Sequence, residues 1–206
     1  MDVAAPGIVT EEDYLQAERR SLTKNEWRRG RVVARSGGSP RHNLIAGNIL
    51  AALKSALRGR RCLVLPSDQR VHVFATGTYT YPDVTVTCDK PRFHTADKDS
   101  LTNPKVIVEV LSKSTEAYDR GSKFADYQSI PSFQEYVIVS QIDRRVEHFR
   151  RMETGQWVLT ISEGDSVLSL PALECEVQLE EIYADLDLLD ESAESPAPPS
   201  AVVNVV

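Results

Sequence analysis

The chain has 206 residues and carries 24 Lys and Arg against 30 Asp and Glu, a formal net charge of −6. With 41% hydrophobic and 26% charged residues it has the balance of an ordinary globular protein, and no apolar run approaches the length of a membrane-spanning helix. Nine of the acids lie from Glu174 onward, where there is no Lys or Arg, so residues 1–173 carry 24 bases against 21 acids and a polyanionic substrate is not excluded.

The N-terminal stretch MDVAAPGIVTEEDYLQ lacks the basic and apolar regions of a secretory signal. TEEDYLQAE (10–18) predicts a short helix with Thr10 as N-cap and acids in its first turn. EWRRGRVVARSG predicts a strand pair turning at Gly30. The clearest helix is SPRHNLIAGNILAALKSALRG, where Ala46, Ile49, Leu50, Leu53 and Leu57 share a face, Ser39 and Pro40 open it and Gly59 closes it. CLVLPSDQRVHVF and YPDVTVTC follow as two successive strands separated by ATGTY. PRFHTADKDSLTNP reads as a polar connection and KVIVEVLS as a short strand with the Val and Ile density of a sheet centre.

A loop and a helix from about Asp119 to Ile130 come next, then three strands, FQEYVIVS, RRVEHFRR and QWVLTI, and a last helical scrap, LEEIYADL. This order predicts an α/β (mixed α+β) core, one long helix packed on a curved mixed sheet, in a single domain over 1–188. DESAESPAPPSAVVNVV has the composition of a disordered tail, placed at 189–206. Cys62, Cys88 and Cys175 are few, odd in number and scattered, without CxxC. They predict neither a disulfide framework nor a cysteine zinc site, and they suit a reducing cytoplasm.

Two apolar strands each contain one acid, Asp83 in YTYPDVTV and Glu109 in KVIVEVLS. A buried carboxylate is costly unless it is paired, hydrogen-bonded or bound to a cation. Strand alternation puts Tyr81, Asp83 and Thr85 on one face, and Lys105, Ile107, Glu109 and Leu111 on one face. If the strands are neighbours, the two acids can converge on Mg2+ or Mn2+, which prefer hard oxygen ligands. The alternative is two buried acids bonded to backbone amides or an arginine.

YPDV, NPKVIVEVLSKST, YDRGSKFADY and IPSFQEYVIVS, in this order, resemble the Uma-type restriction endonuclease family of the PD-(D/E)XK nuclease superfamily. The resemblance runs from about Thr10 to Leu186. It implies a restriction-endonuclease-like core with extra hairpins and a Mg2+- or Mn2+-dependent endonuclease acting on DNA. Asp83 and Glu109 would be its metal ligands, with Glu26 as an auxiliary ligand and the Val110 carbonyl as a further one.

The superfamily pattern expects a lysine two residues after the acid, yet Leu111 stands there. The resemblance therefore points to Lys123 in the following helix as the catalytic ammonium. Lys113 is the rival, and Lys123 could instead simply pair with Asp119 one helical turn earlier. Glu26 could likewise be a partly exposed glutamate among arginines. A homodimer suits cleavage of both strands of duplex DNA. No target-recognition domain is evident, so a non-catalytic nucleic-acid or protein binding module on the same fold is the alternative. His42, His72, His94 and His148 show no short metal-ligand spacing and predict surface or helix-start roles rather than a zinc site.

Overall fold

The computed structural model describes residues 8–189. Helix α1 (Glu11–Glu18) starts as the sequence predicts, with the Thr10 hydroxyl accepting the Asp13 N–H at 3.2 Å. Strands β1 (Asn25–Arg28) and β2 (Arg31–Ala34) form a hairpin. Its two turn residues, Arg29 (φ 48°) and Gly30 (φ 80°), are both left-handed, which matches the twist of the flanking strands. Helix α2 (Pro40–Ala56) is capped by Ser39, and its buried residues Ile45, Ile49, Ala52 and Leu53 recur every three or four positions.

Six strands follow: β3 (Cys62–Pro66), β4 (Arg70–Val73), β5 (Thr78–Thr80), β6 (Val84–Cys88), β7 (Ser100–Leu101) and β8 (Val106–Val110). A helical stretch then runs through α3 (Glu116–Tyr118), a π-helical turn (Asp119–Lys123) and α4 (Phe124–Gln128). Last come β9 (Glu135–Val139), β10 (Arg145–Arg151), β11 (Trp157–Glu163), β12 (Val167–Leu170), β13 (Cys175–Gln178) and α5 (Leu179–Ile182).

The core is the predicted α/β type, with a mixed six-stranded sheet in the order β11-β10-β9-β8-β6-β3. Only β8 and β9 run parallel in it, joined by the α3–α4 stretch as a crossover. The strands do not all join that sheet. A five-stranded sheet, β2-β1-β5-β4-β7, and the β12–β13 pair are separate.

The expected pair of strands over 62–88 is four strands in two sheets. Between β3 and β4 the Gln69 N–H closes a turn onto the Pro66 carbonyl, and the segment read as a separator contains β5. β12 and β13 went unread, and the polar connection 91–104 contributes β7. Cys62 and Cys88 are register partners across β3 and β6 and form a disulfide, contrary to expectation. Scattered cysteines carry no sign of which strands will pair. The predicted domain end at residue 188 falls at the edge of the described residues, and the acidic tail lies outside them.

β8 is buried on both faces, as its unbroken Val and Ile content requires. Val106, Val108 and Val110 pack with Ile45, Ile49 and Leu53 of α2. Ile107, with Leu111 just past the strand end, packs with Tyr127, Tyr136 and β4 residues Val71 and Val73. Glu109 shares the parity of this second set, so it points between the two main sheets. No helix among the described residues is long and apolar enough to cross a membrane.

Candidate functional site

β6 and β8 are antiparallel neighbours with Val84 opposite Val108. Continuing that register by one residue sets Asp83 beside Glu109, the convergence the alternation predicts. Asp83 Oδ2 accepts the Val110 N–H at 2.7 Å and lies 3.2 Å from His42 Nε2, at the start of α2. Burial raises the Asp83 pKa, but the His42 hydrogen bond and charge and the Val110 amide outweigh it and hold the carboxyl below its ordinary value. His42 in turn is raised: burial lowers it, and Asp83 more than compensates. His42 thus has the expected helix-start position and a polar partner that its sequence context did not show.

Glu109 is almost wholly buried. Its Oε1 accepts the Tyr127 hydroxyl at 3.1 Å and sits 2.7 Å from Lys123 Nζ, while Oε2 is buried with no hydrogen-bond partner. Burial drives its pKa well up and the carboxylates of Asp119 and Asp83 add to this, against the opposing charge of Lys123. Lys123 itself is 0% exposed, and three carboxylates surround it: Glu109, Asp119 at 3.2 Å and Glu26 at 3.7 Å. Burial alone would lower the Lys123 pKa, but these carboxylates outweigh it and keep the side chain an ammonium.

Glu26 reaches the cluster from β1. Its Oε1 accepts the Tyr81 N–H at 3.1 Å and lies 3.6 Å from Arg35 Nε, and the side chain is buried rather than half exposed. The expected pairing of Lys123 with Asp119 is present, and Lys123 pairs with Glu109 at the same time. Asp119 and Lys123 are the two ends of the π-helical turn, a local widening that recurs at functional sites, and the Asp119 carbonyl accepts the Tyr136 hydroxyl at 3.0 Å. Lys113 is exposed in the turn after β8, and Leu111 is core. Sequence reading missed Asp119, His42 and Tyr127 as members of this centre. Only the i,i+4 spacing of Asp119 and Lys123 hinted at one of them.

A second polar cluster lies elsewhere on the five-stranded sheet. Glu11 of α1, His72 of β4 and His94 of the β6–β7 connection offer ligand atoms that all lie within 4.8 Å of one another, a group that could hold a metal ion. Their spacing in sequence predicts surface or helix-start roles; His72 is instead buried in β4, with the His94 ring centroid 4.3 Å from its own.

Several arginines of the basic stretches at 28–31, 58–61 and 144–145 have internal partners. Arg28 pairs with Asp126 at 2.8 Å, Arg60 donates to the Leu173 carbonyl, and Arg145 pairs with Glu147 and Glu163.

Residues 11–185 match the model of the Uma2 family, described as "Putative restriction endonuclease". The chain belongs to that family. Two uncharacterized proteins of Synechocystis sp. are similar to it over most of both lengths. One, sll1609, is 35% identical over 166 residues, covering 81% of this chain and 94% of its own. The other, slr1290, is 36% identical over 178 residues, covering 85% and 91%. The fold matches the crystal structure of "a putative nuclease belonging to DUF820" from Anabaena variabilis with a TM-score of 0.69. That match covers 85% of this chain and 97% of the other at 13% identity, so it speaks to the fold, which is that of a restriction-endonuclease-like core.

Proposed function

We propose that this Uma2 protein is a divalent-metal-dependent DNA endonuclease whose centre is Asp83, Glu109, Glu26 and Lys123. The observation that carries this reading is Glu109. Its buried carboxylate keeps one oxygen without a hydrogen-bond partner, beside a fully enclosed lysine and a second acid on the neighbouring strand. A buried carboxyl oxygen without a donor is one that a hard cation can engage, and the donor set is all oxygen. Asp83 and Glu109 would hold Mg2+ or Mn2+, with Glu26 and the Val110 carbonyl completing the shell. The ion would supply charge neutralisation at the scissile phosphate and a lowered pKa for bound water.

The protein's own residues do the rest. The Val110 N–H and His42 fix the Asp83 carboxylate, and Tyr127 fixes one Glu109 oxygen. Lys123, aimed by Asp119, offers a preorganised positive charge to the phosphate as water attacks phosphorus in line and the ester oxygen leaves. A homodimer would give two such centres for the two strands of a duplex.

A second reading has its own support. Lys123 is fully enclosed by three carboxylates, as in a structural ion cluster, and this suits a non-catalytic binding module that retains the fold. One assay separates them: single-stranded, duplex and branched DNA incubated with Mg2+ or Mn2+, beside Asp83→Ala. Metal-dependent cleavage that disappears in the variant supports the nuclease. No cleavage of any substrate by the wild-type protein hands the lead to the binding module.

A further inference from the structure

His72 is a buried imidazole in an unusual state: neither Nδ1 nor Nε2 has a hydrogen-bond partner, and its side chain is 4% exposed. A core histidine ordinarily spends at least one ring nitrogen on a donor or acceptor, and an orphaned pair is costly. The ring packs instead against two others, His94 and Tyr79, each with its centroid 4.3 Å away, and Phe74 meets it edge-on at 4.6 Å. The Glu11 carboxylate lies 4.0 Å from His72 Nε2. Tyr79 donates its hydroxyl to Glu11 Oε1 at 2.5 Å and sits 3.3 Å from His94 Nδ1.

We infer that Glu11, His72 and His94 form a site for one borderline transition-metal cation of the Zn2+ class, separate from the carboxylate centre. Two imidazoles and one carboxylate are a donor set such cations prefer, and Mg2+ does not. In a tetrahedral zinc site the ligand atoms stand about 3.4 Å apart. The three ligand atoms all lie within 4.8 Å of one another, so they need to approach by no more than about 1.4 Å.

Access and support are both in place. The Glu11 side chain is 45% exposed, which leaves a route from solvent. Tyr79 already orients the carboxylate, the task of an outer partner in a metal site. The loop carrying His94 is anchored by Asp97, which is buried against the guanidinium of Arg70 on β4.

The site lies on the opposite face of the sheet from Glu26. Trp27 and His72 are both register partners of Tyr79 and share its side, whereas Glu26 alternates away. A cation there would tie α1 and the 89–99 connection to β4, three segments that are otherwise remote in sequence. Its role is to fix the outer face of the sheet whose inner face carries Glu26.

The test uses the full chain, stripped with a chelator and returned to buffer with millimolar Mg2+ so that hard-oxygen centres are filled. Zn2+ is titrated against a chromophoric chelator, and Co2+ is used as a spectroscopic probe of geometry. Expected are one Zn2+ per chain, tetrahedral Co2+ absorption, and a rise in melting midpoint of roughly 5–10 °C at free Zn2+ about a hundredfold above Kd.

His94→Ala and Glu11→Gln, both at the accessible side of the cluster, should weaken Zn2+ binding by at least about 100-fold and abolish the shift. Tyr79→Phe should weaken it about 10–100-fold. Asp83→Ala should bind Zn2+ as the wild type does, which separates this proposal from the nuclease reading. Absence of stoichiometric Zn2+ binding, equal affinity in His94→Ala, or loss of the ion in Asp83→Ala would each overturn it.

Discussion

The two faces of the five-stranded sheet solve the problem of buried polarity in opposite ways. On the inner face, Glu26 joins Glu109 and Asp119 around Lys123, and charges of opposite sign neutralise one another within 3.7 Å. On the outer face, His72 stacks on Tyr79 and packs at a tilt against His94, and the buried imidazole has no hydrogen-bond partner at either nitrogen. The first is a charged cluster with its own counter-ion, and an added metal has to compete with a resident ammonium. The second has no internal cation, so an added metal competes only with the cost of moving rings. Burial alone therefore does not define a metal site. What distinguishes these two is whether the protein already supplies the positive charge.

The largest expected effect comes from removing that charge. Lys123→Ala leaves three buried carboxylates without their cation, so folding stability should drop by about 3–5 kcal/mol in denaturant melts. If the protein cleaves DNA, the rate should fall roughly 10²–10³-fold with DNA binding retained. The competition argument adds a sharper expectation: Mg2+ should raise the melting midpoint of Lys123→Ala more than that of the wild type. A smaller Mg2+ shift in the variant would mean that Lys123 helps to build the ion's site rather than occupying it.

Asp97→Asn probes the support of the outer face. Arg70, 4% exposed, places its guanidinium 2.5 Å from Asp97, and Ser100 also donates to that carboxylate. Breaking such a buried pair should cost about 3–5 kcal/mol, read by denaturant melts, and should leave DNA cleavage per folded molecule unaltered.

The same carboxyl sets an acid limit. Burial raises the Asp97 pKa, but the Ser100 hydroxyl and Arg70 bring it below the ordinary value. A depressed carboxyl contributes stability that is complete above its unfolded pKa of about 3.9 and is lost as pH falls through the lower folded value. Melts of wild type and Asp97→Asn should therefore converge only below about pH 3.9.

What the sequence made legible were local signals: the Thr10 and Ser39 caps, the periodic face of α2, the two-faced burial of β8 and the face that Asp83 and Glu109 each take within their own segment. Each is settled within about a dozen residues. The outer cluster was not legible, because it depends on β5 emerging from a segment that reads as a separator and on His94 being folded back by Asp97. The Cys62–Cys88 bond failed for the same reason, since cross-strand register is decided by tertiary pairing. The π-helical turn also left no mark, as nothing in DRGSK distinguishes a five-residue turn from a four-residue one.

The smallest expected effect belongs to the other lysine near the acids. Lys113 continues the parity of Glu109, yet β8 ends at Val110 and the chain turns at Ser112, so the ammonium lies in water. An exposed charge acts through a high dielectric and is screened within about 10 Å in ordinary buffers, whereas Lys123 acts from a site with no water contact. Lys113→Ala should therefore change stability by less than about 0.5 kcal/mol and leave any cleavage rate within about twofold of wild type. Should Lys113→Ala be the inactive variant and Lys123→Ala the active one, the inner cluster would be a structural ion network. The catalytic charge would then come from the solvent side of the centre rather than from between its sheets.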